Sequence, residues 1–183
     1  IRSLERLSKA MNEVDYVFHC AALKHVEISE YNSFESVLTN IVGVQNVIDA
    51  ALDNNVKKVL FTSSDKAVNP SSTMGTTKLM GEKMITAANN YTGSRLTRFS
   101  SVRFGNVLGS NGSVIKVFKK QIHEKKPLTI TSEKMTRYFI NINQAVDLCF
   151  FYIKEMLGGE IFFPKMKSFD IINLAKAISK TEM

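Results

Sequence analysis

Short apolar runs alternate with amphipathic helical patterns along the whole chain, and this alternation limits the available folds most strongly. Buried strands are predicted at residues 15–20, 57–62, 100–104, 128–131 and 160–163. Helical spacing of apolar residues predicts helices at residues 33–54, 74–90, 113–124 and 143–156, with Asp170 as the N-cap of a last helix. Strands separated by helices of about 10 to 15 residues form βαβ units. The sequence therefore predicts an α/β protein with a mainly parallel sheet and helices on both faces.

The formal charge of +7 would attract an acidic ligand, and nucleic acid is one candidate. The densest basic cluster lies on or just after the helix predicted at residues 113–124 and comprises Lys116, Lys119, Lys120, Lys125 and Lys126. Neither aromatic residues interleaved with basic ones nor a helix-turn-helix or zinc pattern accompanies it. We interpret the cluster as a solvated helix face and predict no nucleic-acid partner.

The two cysteines, Cys20 and Cys149, both lie in apolar runs, which predicts reduced core thiols in a cytoplasmic protein. Neither has a second cysteine or a histidine at metal spacing, so we expect no metal site. No apolar run approaches the ~20 residues needed to cross a bilayer, and no signal peptide is visible. Because the chain opens on Ile1, any membrane association is expected to come only from upstream sequence.

A cluster of polar residues follows the strand predicted at residues 57–62: Ser63, Ser64, Asp65 and Lys66. The carboxyl ends of strands in open α/β sheets are where ligands bind. The adjacent acid and base could donate and accept protons at neighbouring atoms of one substrate, the plain alternative being a solvated turn. The presence of Lys78 on the following helix favours proton transfer over a solvated turn.

A glycine-rich phosphate cradle of the Gly-x-Gly-x-x-Gly type is absent from the sequence. Gly105, Gly109 and Gly112 have the wrong spacing and follow a late strand, so we interpret their loop as substrate-side. We therefore expect the chain to begin after the first βαβ unit and its cradle, and to bind a dinucleotide weakly or not at all by itself.

Six segments in order along the chain carry a resemblance to a known family: residues 18–25, 39–47, 63–70, 74–83, 103–114 and 135–139. They resemble the CapD-like polysaccharide-biosynthesis group of extended short-chain dehydrogenase/reductases, whose members include UDP-N-acetylglucosamine 4,6-dehydratases. Met74 and Lys78 match the Tyr-x-x-x-Lys element of the superfamily, with Met in the place of Tyr as in other members of this dehydratase group.

The resemblance implies a Rossmann-like fold, with residues 1–110 as the C-terminal part of a dinucleotide-binding domain. Residues 111–183 would form a truncated UDP-sugar-binding region interleaved with the last Rossmann elements. The implied enzyme is a lyase that oxidises C4 of UDP-N-acetylglucosamine, removes water across C5 and C6, and returns hydride to C6. NADP is the expected cofactor, with NAD as the alternative, bound mainly by upstream sequence.

By the same resemblance, Lys66 would be the base at C5, Asp65 the acid for the C6 hydroxyl, and Ser64 a hydrogen-bond partner of the oxygen on C4. A lysine can act as a base only where burial and a neighbouring cation such as Lys78 favour its neutral form. Asp65 would conversely need a dry site to hold its proton.

Met74 also belongs to the implied catalytic set, although a thioether cannot remove a proton. The base that takes the proton of the C4 hydroxyl is therefore left open among Lys66, Lys78 and water.

The resemblance assigns binding roles to further residues. Against the cofactor it places Ala21, Ala22, Asn40, Ser63 and Lys78, with Asn40 bracing the strand ends and Lys78 holding the nicotinamide ribose. Near the UDP-sugar it places Lys24, His25, Asn106, Ser113, Val114 and Arg137, with Arg137 on the diphosphate. A structural ion pair is the alternative for Arg137. His19 is predicted to be a hydrogen-bonded core histidine and His123 a surface one.

Two alternatives to the retaining dehydratase stay open: a C5-inverting dehydratase or an epimerase of the same family, and a non-catalytic fragment of the fold. We also expect residues 16–19 to form an exposed apolar edge strand and the protein to form homo-oligomers.

Overall fold

The structure, a computed structural model, describes residues 1–110 and 113–182. Its contacts divide the chain into two compact units, Ile1–Arg103 with Leu148–Pro164, and Phe104–Asp147 with Lys165–Met183. The division predicted at residue 110 separates cofactor from substrate functions and stays a prediction.

The first unit is built on a four-stranded sheet in the order β1-β2-β3-β6. Its strands are β1 (Tyr16–His19), β2 (Lys58–Ser64), β3 (Arg98–Phe104) and β6 (Ile161–Phe162). β1 runs parallel to β2, and β3 runs parallel to β6. β1 lies at one edge of this sheet. The predicted α/β class with a mainly parallel sheet is confirmed.

Helices connect these strands as the apolar spacing predicts. They are α1 (Leu4–Ala10), α2 (Val26–Tyr31), α3 (Ser33–Val37), α4 (Gly43–Asp53), α5 (Thr73–Ala88) and α7 (Ile142–Glu155). A π-helical turn (Leu38–Val42) joins α3 to α4, and a 3₁₀ turn (Asp65–Ala67) follows β2. α1 and α2 were not predicted from the sequence.

One apolar cluster fills the first unit because α4, α5 and the strands turn their apolar faces to each other. Its fully buried members include Val44, Ile48, Ala51, Val56, Val59, Ile85, Ala88 and Phe99. Burying an aliphatic or aromatic side chain of this size stabilises a fold by about 1.5–3 kcal/mol.

The second unit holds a three-stranded sheet in the order β4-β5-β7. Its elements are β4 (Asn106–Val107), α6 (Val114–His123), β5 (Thr136–Ile140), β7 (Lys167–Asp170) and α8 (Ile171–Glu182). β4 and β5 are parallel, whereas β5 and β7 are antiparallel. Phe118 of α6 packs with Ile171, Ala175 and Ile178 of α8. α8 begins one residue after Asp170, as predicted.

The strand predicted at residues 128–131 is wrong, because this segment is irregular and the strand is β5 instead. Leu128 and Ile130 pack against the cluster between α6 and α8. The Gln121 side chain accepts the amide of Thr129, so local contacts replace a β ladder. An alternating apolar pattern shows only that one side of a segment is buried. An irregular segment can bury one side as well as a strand can.

The structure also bears on the predicted core thiols, on the predicted substrate-side loop, and on membrane helices and metal sites. Cys20 is exposed rather than a core thiol, while Cys149 is half-buried, and both are free. Gly112 of the predicted substrate-side loop lies outside the described residues, as does Asn111. Among residues 1–110 and 113–182 no helix is long and apolar enough to cross a bilayer, and that same part of the chain holds no group of three or more potential metal ligands.

Asn89 fastens the end of α5 to the sheet. Its Nδ2 donates to the carbonyl oxygens of Ile85, Thr86 and Phe99 at 3.2, 3.1 and 2.9 Å, and its Oδ1 accepts the Phe99 amide at 3.0 Å.

We predict that Asn89→Ala lowers the free energy of unfolding by about 1–3 kcal/mol, because partly buried backbone groups lose their partner. Urea unfolding followed by circular dichroism measures the loss. Asn90→Ala, at the exposed neighbouring position, is the control and should change stability by less than about 0.5 kcal/mol. Equal stability of the two variants would contradict the prediction.

Candidate active site

The carboxyl end of β2 places an acid, a base and a hydroxyl in one hydrogen-bonded group. Ser64 is the N-cap of the Asp65–Ala67 turn, and its Oγ accepts the Lys66 amide at 3.3 Å. The same hydroxyl donates to Asp65 Oδ1 at 3.0 Å, and Lys66 Nζ donates to that oxygen at 3.0 Å. Three of the five predicted catalytic residues, Ser64, Asp65 and Lys66, are therefore in mutual contact.

The Asp65–Lys66 pair is accessible rather than dry, since the two side chains are 23% and 34% exposed. Lys66 is also held by a carboxylate and is half-buried, whereas a lysine that acts as a base needs surroundings that favour its neutral form. The role of Lys66 stays a prediction. In this state the pair is a charge-assisted hydrogen bond between neighbouring residues.

The start of α5 packs directly on the backbone of this turn. Gly75 faces the turn so closely that a Cβ at this position would overlap the carbonyl oxygen of Lys66 and lie 3.1 Å from Pro70 Cβ. Ser72 caps the helix through its Oγ, which accepts the Gly75 amide at 3.2 Å. Glu30 of α2 accepts the Thr73 amide at 2.6 Å. These contacts fix the position of Met74, whose side chain is buried.

Lys78, one helical turn beyond Met74, is the buried lysine of this region, with 5% of its surface exposed. Its Nζ donates to the Thr62 carbonyl oxygen at 2.8 Å and lies 4.4 Å from the centroid of the Phe61 ring. Burial lowers the pKa of Lys78 to about 8, against the opposing influence of Cys20 and Glu82. A lysine in this state changes charge near neutral pH, which an exposed lysine does not.

Asn40 clamps the segment that follows β1. Its side chain accepts the Leu23 amide at 2.9 Å and donates to the Leu23 carbonyl oxygen at 2.9 Å and to Thr77 Oγ1 at 3.0 Å. Asn40 lies within the π-helical turn Leu38–Val42, a rare conformation that is frequent at functional sites. The clamp joins the segment after β1 to α5. The role of Asn40 at the cofactor stays a prediction.

His19 is buried as predicted, but it is not hydrogen-bonded at both nitrogens. Its Nε2 has no hydrogen-bond partner within the described part of the chain, and the ring packs against Phe61 with centroids 5.2 Å apart. Burial, together with the charge of Lys78, lowers its pKa to about 3. His19 is therefore neutral at physiological pH.

The remaining predicted residues of the first unit follow β1. Ala21 is exposed and Ala22 half-buried, and each carries only a methyl side chain. Lys24 is exposed, and His25 precedes α2 as its N-cap residue without a side-chain hydrogen bond to the helix. Ser63, in β2, is buried, and its Oγ has no hydrogen-bond partner among the described residues.

The predicted substrate residues of the second unit divide into two kinds. Asn106 lies in β4 opposite Phe139, and Arg137 lies in β5 with Nη1 donating to the Thr136 carbonyl oxygen at 3.0 Å. Arg137 forms no ion pair within residues 1–110 and 113–182, and both interpretations of it stay predictions. Ser113 precedes α6, whereas Val114 packs against the cluster around Phe118 and so contributes to the core.

Sequence analysis missed a buried ion pair beside Lys78. Glu82, wholly buried in α5, accepts hydrogen bonds from Arg103 Nε at 2.9 Å and from Arg103 Nη2 at 2.6 Å. The only signal in the sequence is the spacing of four residues between Lys78 and Glu82 on one helix.

Comparison with known proteins places these residues in a family. The family model described as "Polysaccharide biosynthesis protein" matches residues 1–183. The chain belongs to this family.

Three relatives show how far the likeness extends. The UDP-N-acetylglucosamine 4,6-dehydratase (inverting) of Campylobacter jejuni serotype O:23/36 is 50% identical over 98% of this chain and 54% of the relative. The UDP-glucose 4-epimerase of Rickettsia felis is 40% identical over 98% of this chain and 53% of the relative. The X-ray structure of Pen from Bacillus thuringiensis has 48% identity and a TM-score of 0.96, covering 99% of this chain and 57% of that one. The chain thus spans about half the length of the curated relatives it matches.

We predict that Gly75→Ala lowers the free energy of unfolding by about 1–3 kcal/mol, because the new methyl group forces α5 away from the Lys66 backbone. Thr76→Ala, at the next and exposed position of the same helix, is the matched control. Thermal or urea unfolding measures both. A Gly75→Ala variant as stable as the wild type would contradict the close approach.

We predict that His19 makes the protein less stable as the pH falls from 6.5 towards 3, the ordinary and the lowered pKa of this histidine. In that window the unfolded chain binds a proton at His19 that the folded chain does not, so stability decreases by about 1.4 kcal/mol per pH unit from this group.

The measurement is urea unfolding at a series of pH values for the wild type, His19→Phe and His123→Gln. His19→Phe should lose this part of the pH dependence, while His123→Gln, altered at an exposed histidine, should keep it. Identical pH dependence in His19→Phe and the wild type would contradict the assignment.

Proposed function

We propose that the complete protein is a nicotinamide-dependent 4,6-dehydratase acting on UDP-N-acetylglucosamine in the cytoplasm, for the synthesis of surface polysaccharide or glycan. The Asp65–Lys66 pair at the carboxyl end of β2 carries this proposal, since an acid and a base in contact suit the removal of water from neighbouring carbons. The name of the Campylobacter relative, at 50% identity, supports the substrate and the reaction.

The geometry of the pair suggests how the reactive form arises. Transfer of one proton from Lys66 Nζ to Asp65 Oδ1, across 3.0 Å, converts the ion pair into a neutral amine and a carboxylic acid. Entry of a sugar that excludes water favours this neutral form, because desolvation disfavours charge. Lys66 then takes the proton from C5, and Asp65 protonates the departing C6 hydroxyl. Ser64, whose hydroxyl donates to Asp65 Oδ1 in this structure, would turn from that oxygen once it is protonated and donate its hydrogen bond to the oxygen on C4.

The residues of the first unit fit a nicotinamide dinucleotide. Ala21 and Ala22 carry only methyl side chains, and the Ser63 hydroxyl has no partner among the described residues. Lys78 would hold the nicotinamide ribose, with Asn40 fixing the adjoining segment. When bound, the cofactor accepts hydride from C4 and returns it to C6. We propose NADP, with NAD as the alternative.

We propose the substrate contacts for each unit separately. Lys24 and His25, exposed after β1, would meet the sugar nucleotide in the first unit. In the second unit, Asn106 and Ser113 would bind the UDP-sugar and Arg137 the diphosphate, since a guanidinium donates two parallel hydrogen bonds to phosphate oxygens. Val114 would lie beside Ser113 at the UDP-sugar, while its side chain packs in the core around Phe118. A homo-oligomeric state also remains a proposal.

Inversion at C5 is a second candidate, favoured by the printed name of the Campylobacter relative. The face from which C5 is reprotonated decides between the two outcomes. A 4-epimerase, the printed name of the Rickettsia relative, is less well supported. It needs a proton acceptor where Met74 stands, and it has no use for the Asp65–Lys66 pair.

We predict that the protein expressed from its full gene converts UDP-N-acetylglucosamine into a 4-keto-6-deoxy sugar with deuterium at C5 when the reaction runs in deuterated water. Proton NMR with added NADP or NAD identifies the product and its C5 configuration. Lys66→Met should lower turnover by at least about 100-fold, because the general base is lost. Lys83→Met, at an exposed position of α5, is the matched control and should retain activity.

Formation of UDP-N-acetylgalactosamine without a keto intermediate in solution would instead establish an epimerase. Absence of any turnover would favour the non-catalytic alternative.

A further inference from the structure

The buried carboxylate of Glu82 has no part in the chemistry of dehydration, yet it lies one helical turn from Lys78. Both side chains belong to α5, and residues four apart lie on the same face of a helix. Glu82 has no exposed surface, and a carboxylate without a partner is costly in such a place. Arg103 satisfies it with two parallel hydrogen bonds of 2.9 and 2.6 Å.

Among the described residues, none of the charged groups around Lys78 forms a salt bridge with it. From β1 and the residue after it come His19, which is neutral at physiological pH, and Cys20. β2 contributes the Thr62 carbonyl oxygen and the Phe61 ring. Glu82 is the nearby carboxylate that acts on Lys78, and β3 contributes Arg103, whose charge offsets that carboxylate.

We propose that Glu82, held in place by Arg103, is a positioning residue that keeps Lys78 in its charged form. The ion pair holds a buried carboxylate one helical turn from the buried ammonium, and within the described residues no salt bridge between the two groups occupies the ammonium itself. Lys78 thereby keeps hydrogen-bond donors for another ligand. That this ligand is the ribose of a nicotinamide dinucleotide rests on the proposed function, whereas the electrostatic coupling does not.

Physical chemistry gives the direction and size of the effect. Burial lowers the pKa of Lys78 to about 8, and the charges of Cys20 and Glu82, in that order, oppose this change. Side chains four residues apart on a helix start about 5–6 Å from each other at Cβ. Two unit charges at a separation of this order interact, at an effective dielectric constant near 20, by an amount equivalent to about two pH units. Neutralising Glu82 should therefore move the titration of Lys78 downwards by about one to two pH units, and leave most of this lysine uncharged at physiological pH.

Arg103 acts in the opposite sense because it is a cation, but it also keeps Glu82 ionised. Hydrogen bonding to Glu82 raises the pKa of Arg103, so this guanidinium stays charged throughout. Removing both charges together should therefore shift Lys78 less than removing Glu82 alone. This difference separates electrostatic coupling from a general loosening of the fold.

The experiment measures the titration of Lys78 directly, in the full-length protein labelled with ¹³C at the ε-carbon of lysine. Heteronuclear NMR between pH 6 and 11 follows the resonance, which a Lys78→Met variant assigns. All variants carry Cys20→Ser, so that ionisation of the neighbouring thiol does not contribute. The compared proteins are this background, Glu82→Gln, the double variant Glu82→Gln/Arg103→Met, and Asp15→Asn, which removes an exposed ion pair with Lys57.

We expect Glu82→Gln to lower the titration midpoint of Lys78 by about one pH unit or more, and the double variant to recover part of this shift. Asp15→Asn should leave the midpoint unchanged. An unchanged midpoint in Glu82→Gln, with a resonance that still shows a folded protein, would make the ion pair purely structural and overturn the proposal. Equal shifts in the single and double variants would also overturn it.

The proposal and the proposed function fail separately, because the titration requires no turnover. Binding of NADP at pH 7, measured by calorimetry, supplies the functional readout. If Lys78 holds the ribose, Glu82→Gln should bind NADP about tenfold more weakly at pH 7 and recover affinity at lower pH, where Lys78 regains its proton. Weak binding that does not recover would contradict the functional consequence while leaving the coupling intact.

Discussion

The structure depends on the close approach of α5 to the carboxyl end of β2. Gly75 allows it, because any side chain at this position would overlap the carbonyl oxygen of Lys66. Once the helix lies there, Lys78 reaches back to the Thr62 carbonyl oxygen, and Met74 is buried beside the turn. One backbone contact thus sets the relative positions of the two lysines. It also explains why a short 3₁₀ turn, capped by Ser64, follows the strand.

The two lysines of this region have opposite environments, and the difference suggests different tasks. Lys66 is a third exposed and paired with its neighbour Asp65. Lys78 is almost wholly buried, with a carbonyl oxygen and an aromatic ring as neighbours. Burial lowers the pKa of Lys78, and the charges of Cys20 and Glu82 oppose this change. A proton-transferring lysine and a ligand-holding lysine are consistent with this division.

The segment after β1 is held by a side chain rather than by the sheet. Asn40 bonds to both backbone groups of Leu23 and to Thr77 Oγ1, so one amide joins the end of β1, a π-helical turn and α5. The π turn supplies the extra residue that brings this amide to the strand end. This clamp is local, and the preceding residues Ala21 and Ala22 carry only methyl side chains.

Periodicity along the sequence was sufficient for the α/β class and for helices such as α4 and α5, because one buried face per element leaves a regular apolar pattern. It also brought Ser64, Asp65 and Lys66 together, since these residues are neighbours in the chain. The pattern wrongly predicted a strand at residues 128–131, where apolar residues are buried without a β ladder. It also wrongly predicted burial of Cys20, which is exposed although its neighbours in the sequence are apolar.

The sequence by itself thus determined the fold class and the acid–base pair, both of which are local in the chain. Only the tertiary structure decided that Lys78 is the buried lysine, that the Nε2 atom of His19 has no partner among the described residues, and that Glu82 meets Arg103 from 21 residues away. Burial and pairing between distant elements depend on how helices and strands pack against each other. The spacing of residues within one helix or strand carries no information about this packing.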